Sequence, residues 1–225
     1  MNLATDAPFV PQCERASSRF ALTLGGDAMP LELREARGSE RAQTEHFIAE
    51  RYRRNFGARI EAFMPRLFAL RAVGDDGQCI EGALGLRSAQ GRLFVEQYLD
   101  APIERAILAA TGECVDRASI VEVGHFAGLH PGAMRTMIVL LADRLQREGI
   151  GWVTFTGTRA LYNAFRRMRL RPRALCAASP DRLAPRARTA WGTYYGNDPW
   201  VYVGPVRNSI GISPSRARTS GEHDE

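Results

Sequence analysis

Residues 121–134 read Val-Glu-Val-Gly-His-Phe-Ala-Gly-Leu-His-Pro-Gly-Ala-Met, and the fold follows from this stretch. Its apolar beginning predicts a strand over residues 120–127, which breaks at the small and proline-bearing residues 128–133. A helix is predicted over residues 133–148, because apolar side chains there recur every three or four positions. Residues 152–156 form a second apolar run, so the unit is strand, loop, helix, strand.

The segments on both sides of this unit also alternate between strand and helix patterns. Strands or extended pieces are predicted at residues 19–24, 31–36, 60–73, 79–87, 93–99, 174–177 and 199–204. Helices are predicted at residues 39–56, 102–111 and 159–168. This order predicts an α/β fold, with a mixed sheet flanked by helices and one central crossover. We expect a single domain over residues 19–205, with disordered ends at residues 1–18 and 206–225.

The bulk composition is typical of a soluble globular protein, with 45% apolar residues in a chain of 225. The longest aliphatic run, residues 138–142, is far shorter than the roughly 20 residues that a membrane-spanning helix needs. The N-terminal residues lack the basic and apolar segments of a secretory signal, so we expect a cytoplasmic protein. The cysteines (Cys13, Cys79, Cys114 and Cys176) form no Cys-x-x-Cys pair, and neither a metal nor a disulfide framework is expected.

All thirty basic residues are arginine. The absence of lysine excludes a Schiff-base lysine and a phosphate-loop lysine. Nine of the arginines lie in residues 159–188, where Asp181 is the single acid. Such a patch favours phosphate contacts, to a nucleotide cofactor, an acidic carrier protein or nucleic acid, although a solvated helix face would look the same.

The loop at residues 128–133 opens the predicted helix. Backbone N–H groups at a helix N-terminus have no partner within the helix, and the helix dipole is positive there. This arrangement suits a pyrophosphate. The signal is weak by itself, because any turn from strand to helix that carries glycine and proline looks alike.

Five longer motifs carry a resemblance to a known family. They are FGARIEAFMPRLFALR (56–71), LFVEQYLDAPIE (93–104), IVEVGHFAGLHPGA (120–133), WVTFTGTRALYNAFRRMRL (152–170) and WGTYYGNDPWV (191–201). With these motifs the chain resembles the thermostable hemolysin family, which in turn resembles acyl-homoserine-lactone synthases and other Gcn5-related N-acetyltransferases. The resemblance implies transfer of an acyl group from acyl-CoA or a phosphopantetheinyl acyl carrier protein to an amine or amino acid. It implies no permanently bound cofactor.

The resemblance also assigns residues to the donor site. Phe126, Ala127, Gly128, His130, Gly132, Ala133 and Met134 would line the donor, and Asn163 would hydrogen-bond a pantetheine amide. Phe165 occupies the place where related enzymes carry a tyrosine that protonates the leaving thiolate, and phenylalanine has no proton to donate. His125 stands where the lactone synthases have arginine and the hemolysin family has asparagine.

Three polar residues are candidates for the chemistry. Glu122 is a carboxylate in an apolar strand, where burial raises its pKa and readies it to accept a proton or bind an ammonium group, unless it forms a salt bridge or lies exposed. His125 is a candidate base or fills a polar niche. Because strand residues alternate between faces, Glu122 and His125 converge only if Gly124 hosts a bulge, which would also splay the strand and admit pantetheine. Glu96 is a second candidate acid or a solvent-facing residue.

The sequence also allows other functional interpretations. The family's name suggests a membrane-active hemolysin, and the arginine patch at residues 159–188 would also suit a non-catalytic carrier-binding or nucleic-acid-binding module, although no nucleic-acid motif accompanies it. His125 and His130 match no familiar metal spacing, so no metal is expected. Four aromatic residues line an acyl pocket or belong to the core: Trp191, Tyr194, Tyr195 and Trp200.

Overall fold

The computed structural model describes residues 31–72 and 79–206. Its strands are β1 (Leu31–Glu35), β2 (Arg66–Ala72), β3 (Ile80–Ser88), β4 (Ile120–Gly128), β5 (Trp152–Gly157), β6 (Arg173–Ala177) and β7 (Trp200–Pro205). Its α-helices are α1 (Ser39–Phe56), α2 (Ile103–Thr111), α3 (Pro131–Arg147), α4 (Arg159–Arg167) and α5 (Pro185–Ala190). Short 3₁₀ turns lie at Val95–Gln97, Arg117–Ser119, Pro180–Arg182 and Tyr194–Asn197. None of these helices is both long and apolar enough to cross a membrane.

The described strands form one mixed sheet in the order β1-β2-β3-β4-β5-β7-β6. Neighbouring strands are antiparallel except β4 and β5, which run parallel. Parallel neighbours need a long crossover connection, and α3 supplies it. The predicted mixed sheet with one central crossover is therefore confirmed.

Helices and turns cover both faces of the sheet. On one face α3 packs through Met137 and Leu141 against strand residues such as Phe68 and Leu84. On the other face α1 packs through Ile48 near Leu67. Farther along that second face, α2 and the 3₁₀ turns form a separate cluster. Strands buried on both faces read as continuous apolar runs, which explains why β2 and β3 show little alternation in sequence.

The predicted strand at residues 93–99 is wrong, because a 3₁₀ turn occupies Val95–Gln97. The amides of residues 93–95 donate to the carboxylates of Glu96 and Glu122 and not to a neighbouring strand. Side chains therefore satisfy the backbone donors there. The piece predicted at residues 60–73 pairs only from Arg66 onward. The predicted strand at residues 19–24 and the ends at 1–18 and 207–225 lie outside the described residues.

The segment that begins with α5 is hydrogen-bonded to the C-terminal end of α1 and the residues after it. The amide of Thr193 donates to the carbonyl of Phe56 at 2.8 Å, and the amide of Arg59 donates to the carbonyl of Ala190 at 2.6 Å. Gly192 lies between them with φ 54°, the left-handed region. A Cβ at this glycine would lie far inside van der Waals contact with the Phe56 carbonyl oxygen. Only glycine fits, because backbone atoms cannot retreat as a flexible side chain can.

We expect Gly192→Ala to lower the free energy of unfolding by about 2–4 kcal/mol, since it combines a left-handed backbone penalty with overpacking. Chemical denaturation measures the change. Gly196→Ala is the matched control in the same segment, because a Cβ there meets nothing within 4 Å. Equal stability of the two variants would contradict this account of the contact.

Candidate active site

Strands β4 and β5 separate at the centre of the sheet. They pair from Ile120 opposite Trp152 to Val123 opposite Phe155, and no pair follows. Both strands continue beyond this point, β4 to Gly128 and β5 to Gly157. The facing strand edges therefore diverge, and the predicted splayed strand pair is present.

A bulge in β4 accompanies the separation. Ala127 lies opposite Ala83 and Gly124 lies opposite Gly85, so β4 carries one more residue than β3 between these pairs. Gly124 was expected to host this bulge, and the residue with left-handed backbone in it is His125, with φ 51°. A non-glycine residue in this region carries strain, which is common at functional sites.

Gly124 serves a different purpose, which is to make room for Met64. A Cβ at Gly124 would collide with the Met64 Cε, and a Cβ at Gly85 would lie 2.7 Å from the Met64 Cβ. The two facing glycines thus form a shallow trough in the sheet, and the Met64 side chain fills it. This contact identifies the face on which Gly124 lies as the one that α1 covers.

The bulge brings Glu122 and His125 to the same face. Val121 and Val123 belong to the apolar cluster that α3 forms with β2 and β3, which we call the α3 cluster. Glu122 lies between these two valines and therefore points to the opposite face. The extra residue returns His125 to that face, where its ring contacts Tyr52 with centroids 6.3 Å apart. The bulge that the sequence required for the two residues to share a face is therefore present.

Glu122 is nearly inaccessible, with 2% of its surface exposed. Its Oε2 accepts a hydrogen bond from the amide of Phe94 at 2.8 Å, and its Oε1 accepts one from the amide of Val95 at 3.0 Å. Burial raises the pKa of Glu122, and these hydrogen bonds and the Arg87 charge oppose the rise only in part. Glu122 therefore anchors the preceding loop and is a carboxylate with raised proton affinity.

The carboxylate of Glu96 binds other groups of the same loop and of its surroundings. Its carboxylate accepts from the amides of Leu93 at 3.0 Å and Ile103 at 3.1 Å, and it pairs with Arg117 at 2.7 Å. Burial alone would raise the pKa of Glu96, but the Arg117 and amide hydrogen bonds lower it below its usual value. These contacts favour a structural role, in which Glu96 holds the turn that carries the amides bound to Glu122.

The ring of His125 is held in one orientation. Its Nδ1 accepts a hydrogen bond from the Met64 amide at 3.4 Å, and Phe63 packs on it with centroids 5.5 Å apart. Since Nδ1 is the acceptor, the proton of the neutral ring is assigned to Nε2. Burial, with the Arg87 charge, lowers the pKa of His125 to about 4. At neutral pH this side chain is therefore an uncharged hydrogen-bond donor.

The loop before α3 has fewer open amides than expected. His130 is the N-cap, and its Nδ1 accepts from the amide of Ala133 at 3.1 Å while its Nε2 contacts Glu81 at 3.1 Å. Pro131 has no amide hydrogen, and the Met134 amide bonds to the His130 carbonyl. Among the first-turn amides of α3, that of Gly132 is left to receive an anion.

The Gly128 carbonyl, on the other side of this loop, accepts from Arg51 Nη2 at 3.0 Å. The Nε of this arginine is buried and has no hydrogen-bond partner among the described residues. Arg51 therefore joins α1 to the loop and keeps an unused donor there. Nothing in the sequence pattern indicated it, because it lies 77 positions before Gly128.

The remaining predicted donor residues divide between core and surface. Phe126 and Met134 pack against the α3 cluster, and Ala127 is buried. Asn163 is exposed on α4. The ring of Phe165 packs on that of Phe155, with centroids 5.0 Å apart, so it borders the end of the β4–β5 pairing.

An aromatic cluster lies on the same face as Glu122 and His125. The ring of Trp191 is 6.0 Å from those of both Tyr52 and Phe94. The hydroxyls of Tyr98 and Tyr195 are hydrogen-bonded, and Tyr194 packs on Trp191 at 5.2 Å. Trp200 does not join them, since 42% of its surface is exposed at the start of β7.

Within the described residues there is no group of three or more His, Cys, Asp or Glu side chains that could hold a metal ion.

Solved structures share this architecture. FeeM, an N-acyl amino acid synthase from uncultured soil microbes, has 17% sequence identity and a TM-score of 0.51, over 80% of this chain and 92% of its own. The AHL synthase LasI has 11% identity and a TM-score of 0.53, over 80% of this chain and 92% of its own. TofI in its apo form has 13% identity and a TM-score of 0.53, over 83% of this chain and 98% of its own. The chain therefore has the fold of the Gcn5-related acyltransferases.

The sequence also matches the thermostable hemolysin family over residues 35–210, and the protein belongs to that family. This match covers all described helices and every strand from β2 to β7. Among curated proteins the sequence finds no match.

The lowered pKa of His125 makes stability depend on pH. Between its folded pKa of about 4 and its ordinary value of 6.5, the unfolded chain binds a proton that the folded protein does not. The stability that this difference contributes is fully present above pH 6.5 and is lost as the pH falls through 4. The free energy of unfolding falls by up to roughly 3 kcal/mol in total. We expect the unfolding free energy of wild type to fall more steeply over this range than that of His125→Asn, in urea titrations. Parallel pH dependences would contradict the burial of a neutral histidine.

Proposed function

We propose that this protein is an N-acyltransferase that moves an acyl group from acyl-CoA or an acyl carrier protein to an amine or amino acid in the cytoplasm. The observation that carries the proposal is the bulge at His125, which accompanies the open strand pair and brings Glu122 and His125 to one face. The proposal agrees with the names of two structural relatives, an N-acyl amino acid synthase and an AHL synthase. No permanently bound cofactor is needed.

The donor arm is proposed to enter between the diverging edges of β4 and β5. Backbone groups of Phe126 and Ala127 and the amide of Gly128 have no β5 partner there and are suited to pair with pantetheine amides. The Gly132 amide would donate a hydrogen bond to a phosphate oxygen. His130, Ala133 and Met134 shape this loop, and Asn163 and Phe165 flank the arm from α4.

The reaction needs a neutral amine, an acceptor for its proton and a donor to the acyl oxygen. The amine nitrogen bonds to the acyl carbon, the C–S bond breaks, and the thiolate leaves with the electron pair. Glu122 keeps two unused lone-pair positions and takes the proton that the nitrogen loses. The Nε2–H of His125 donates to the acyl oxygen. Phe165 has no proton to give, so the thiolate takes one from water.

The aromatic cluster is proposed to line the acyl chain or the side chain of the acceptor. Phe94 belongs to the loop that binds Glu122 and packs on Trp191, and Tyr52 contacts the ring of His125. Apolar aromatic walls exclude water and so strengthen the electrostatic contacts of the site.

The decisive measurement is thiol release from acyl thioesters of several chain lengths, mixed with a panel of amines and amino acids. We expect Glu122→Gln to lower kcat/KM by about 100-fold or more, which is typical of a lost proton acceptor. Glu35→Gln is the matched control, because Glu35 is a half-buried carboxylate paired with Arg66 at the far edge of the sheet. It should leave kcat/KM unchanged.

The absence of thiol release with every pair would refute acyl transfer, and full activity of Glu122→Gln would remove that residue from the chemistry. Leakage of dye from liposomes caused by the protein alone, without any thioester, would instead support the membrane-active alternative.

An acidic carrier protein is the proposed docking partner of part of the arginine patch. Within residues 159–188, Arg182, Arg186 and Arg188 pair with carboxylates, and Arg173 donates to the Ala110 carbonyl. Five exposed arginines on α4 and the turn after it have no carboxylate partner in the described part of the chain: Arg159, Arg166, Arg167, Arg169 and Arg171. Such a surface is complementary to a negatively charged carrier.

We expect the double variant Arg166→Gln and Arg167→Gln to raise KM for an acyl carrier protein about 10-fold while changing KM for acyl-CoA less than 2-fold, since rim charges act on association. The control is Arg53→Gln and Arg54→Gln, an adjacent pair in the last turn of α1 that binds Glu50. Equal effects of the two double variants would contradict docking at α4. Salt-dependent capture of nucleic acid by the patch would favour the nucleic-acid alternative.

A further inference from the structure

Arg87 lies on the same face of the sheet as the two candidate catalytic groups. In the β3–β4 ladder it is directly opposite Glu122, and cross-strand partners share a face. Its charge acts on both Glu122 and His125, which places the guanidinium within electrostatic range of both. The proposed function assigns Arg87 no role, and the sequence pattern did not single it out.

The guanidinium of Arg87 has no hydrogen-bond partner in residues 31–72 and 79–206. Its nearest carboxylate is that of Glu122, with 4.0 Å between Nη1 and Oε2, which is beyond hydrogen-bond distance. Glu122 cannot turn toward it without releasing the amides of Phe94 and Val95. The two residues therefore form a long ion pair without a direct hydrogen bond.

Other partly buried arginines, one in β2 and one in a 3₁₀ turn, are bound more closely. Arg66 contacts Glu35 at 3.0 Å and Glu148 at 2.8 Å. Arg117 contacts Glu96 at 2.7 Å, and it also bonds to backbone carbonyls. Against this background Arg87 stands apart, with 30% of its side chain exposed and its planar set of donors unused.

A planar guanidinium with free donors matches a carboxylate, because two parallel N–H···O bonds form at once. The neighbouring Glu122 is negative and suits an ammonium or amine group. A positive and a negative side chain held side by side are thus complementary to a molecule that carries a carboxylate and an amine close together. An α-amino acid has this arrangement.

We propose that Arg87 binds the carboxylate of an α-amino acid acceptor and thereby selects amino acids over amines that lack a carboxylate. This inference rests on the proposed acyl transfer for its catalytic consequence, but not for the binding itself. Arg87 is in this account a specificity-determining residue. The amine of the acceptor would face Glu122 and the bulge, and its side chain would extend toward the aromatic cluster.

The test compares amino acids with their decarboxylated amines, such as phenylalanine with phenethylamine and leucine with isoamylamine. We expect wild type to prefer the amino acid in kcat/KM by at least about 10-fold, and Arg87→Gln to abolish most of this preference by raising KM for the amino acid about 10-fold to 100-fold. Arg87→Lys should restore part of the preference, since it returns the charge without the planar donors. Arg92→Gln, an exposed arginine in the next loop, is the control and should behave as wild type.

Amino acid binding without any thioester separates this inference from the proposed function. We expect calorimetric titration with phenylalanine to show binding to wild type and to Arg92→Gln, and a loss of about 10-fold or more in affinity for Arg87→Gln. Equal affinity of wild type and Arg87→Gln, or an equal fall of kcat/KM for the acid and the amine, would overturn the role of Arg87 while leaving acyl transfer intact. If no thiol is released but the binding difference is found, acyl transfer fails and the carboxylate site stands.

Discussion

Strand β4 carries one residue more than its neighbour β3 can match, and the arrangement of the candidate site depends on this mismatch. The extra residue is accommodated at His125, whose backbone adopts the left-handed region. A conformation of this kind costs of order 1–3 kcal/mol. The Met64 amide and the rings of Tyr52 and Phe63 hold His125 in place and offset that cost. Beyond the bulge, β4 no longer pairs with β5, so the same strain accompanies the opening of the sheet.

Two carboxylates then fix the loop that closes this face. Glu96 and Glu122 together accept the amides of three successive residues, 93–95, so a segment with strand-like composition forms a 3₁₀ turn instead. The free energy of this arrangement lies in charge-assisted hydrogen bonds to backbone donors, which are stronger than neutral ones. Arg87 lies opposite Glu122, and its positive charge offsets part of the rise in the pKa of that carboxyl group.

Much of the fold follows from patterns that are local in sequence. The strand, loop and helix over residues 120–148 and the helix over 39–56 lie within a few residues of where periodicity and end signals place them. The conformations of residues 93–99 and of α5 could not be predicted from local sequence patterns. The first has strand composition but lacks a strand partner, and α5 is too short and too rich in arginine to show a periodic apolar face. Their conformations depend on contacts with Glu122 and with the end of α1, which are distant in sequence.

By itself the sequence determined the order of elements, the position of the strand that breaks, and the candidate residues Glu122 and His125, since these depend on composition and spacing. Whether those two side chains could meet was left to a single unknown, the presence of a bulge. Tertiary structure decided that, and it placed the left-handed residue at His125 while Met64 fills the trough at Gly124. It also decided that Arg87 lies opposite Glu122 without a hydrogen bond to it and that His130 caps α3. Strand register and long-range hydrogen bonds set these contacts, and neither leaves a periodic trace along the chain.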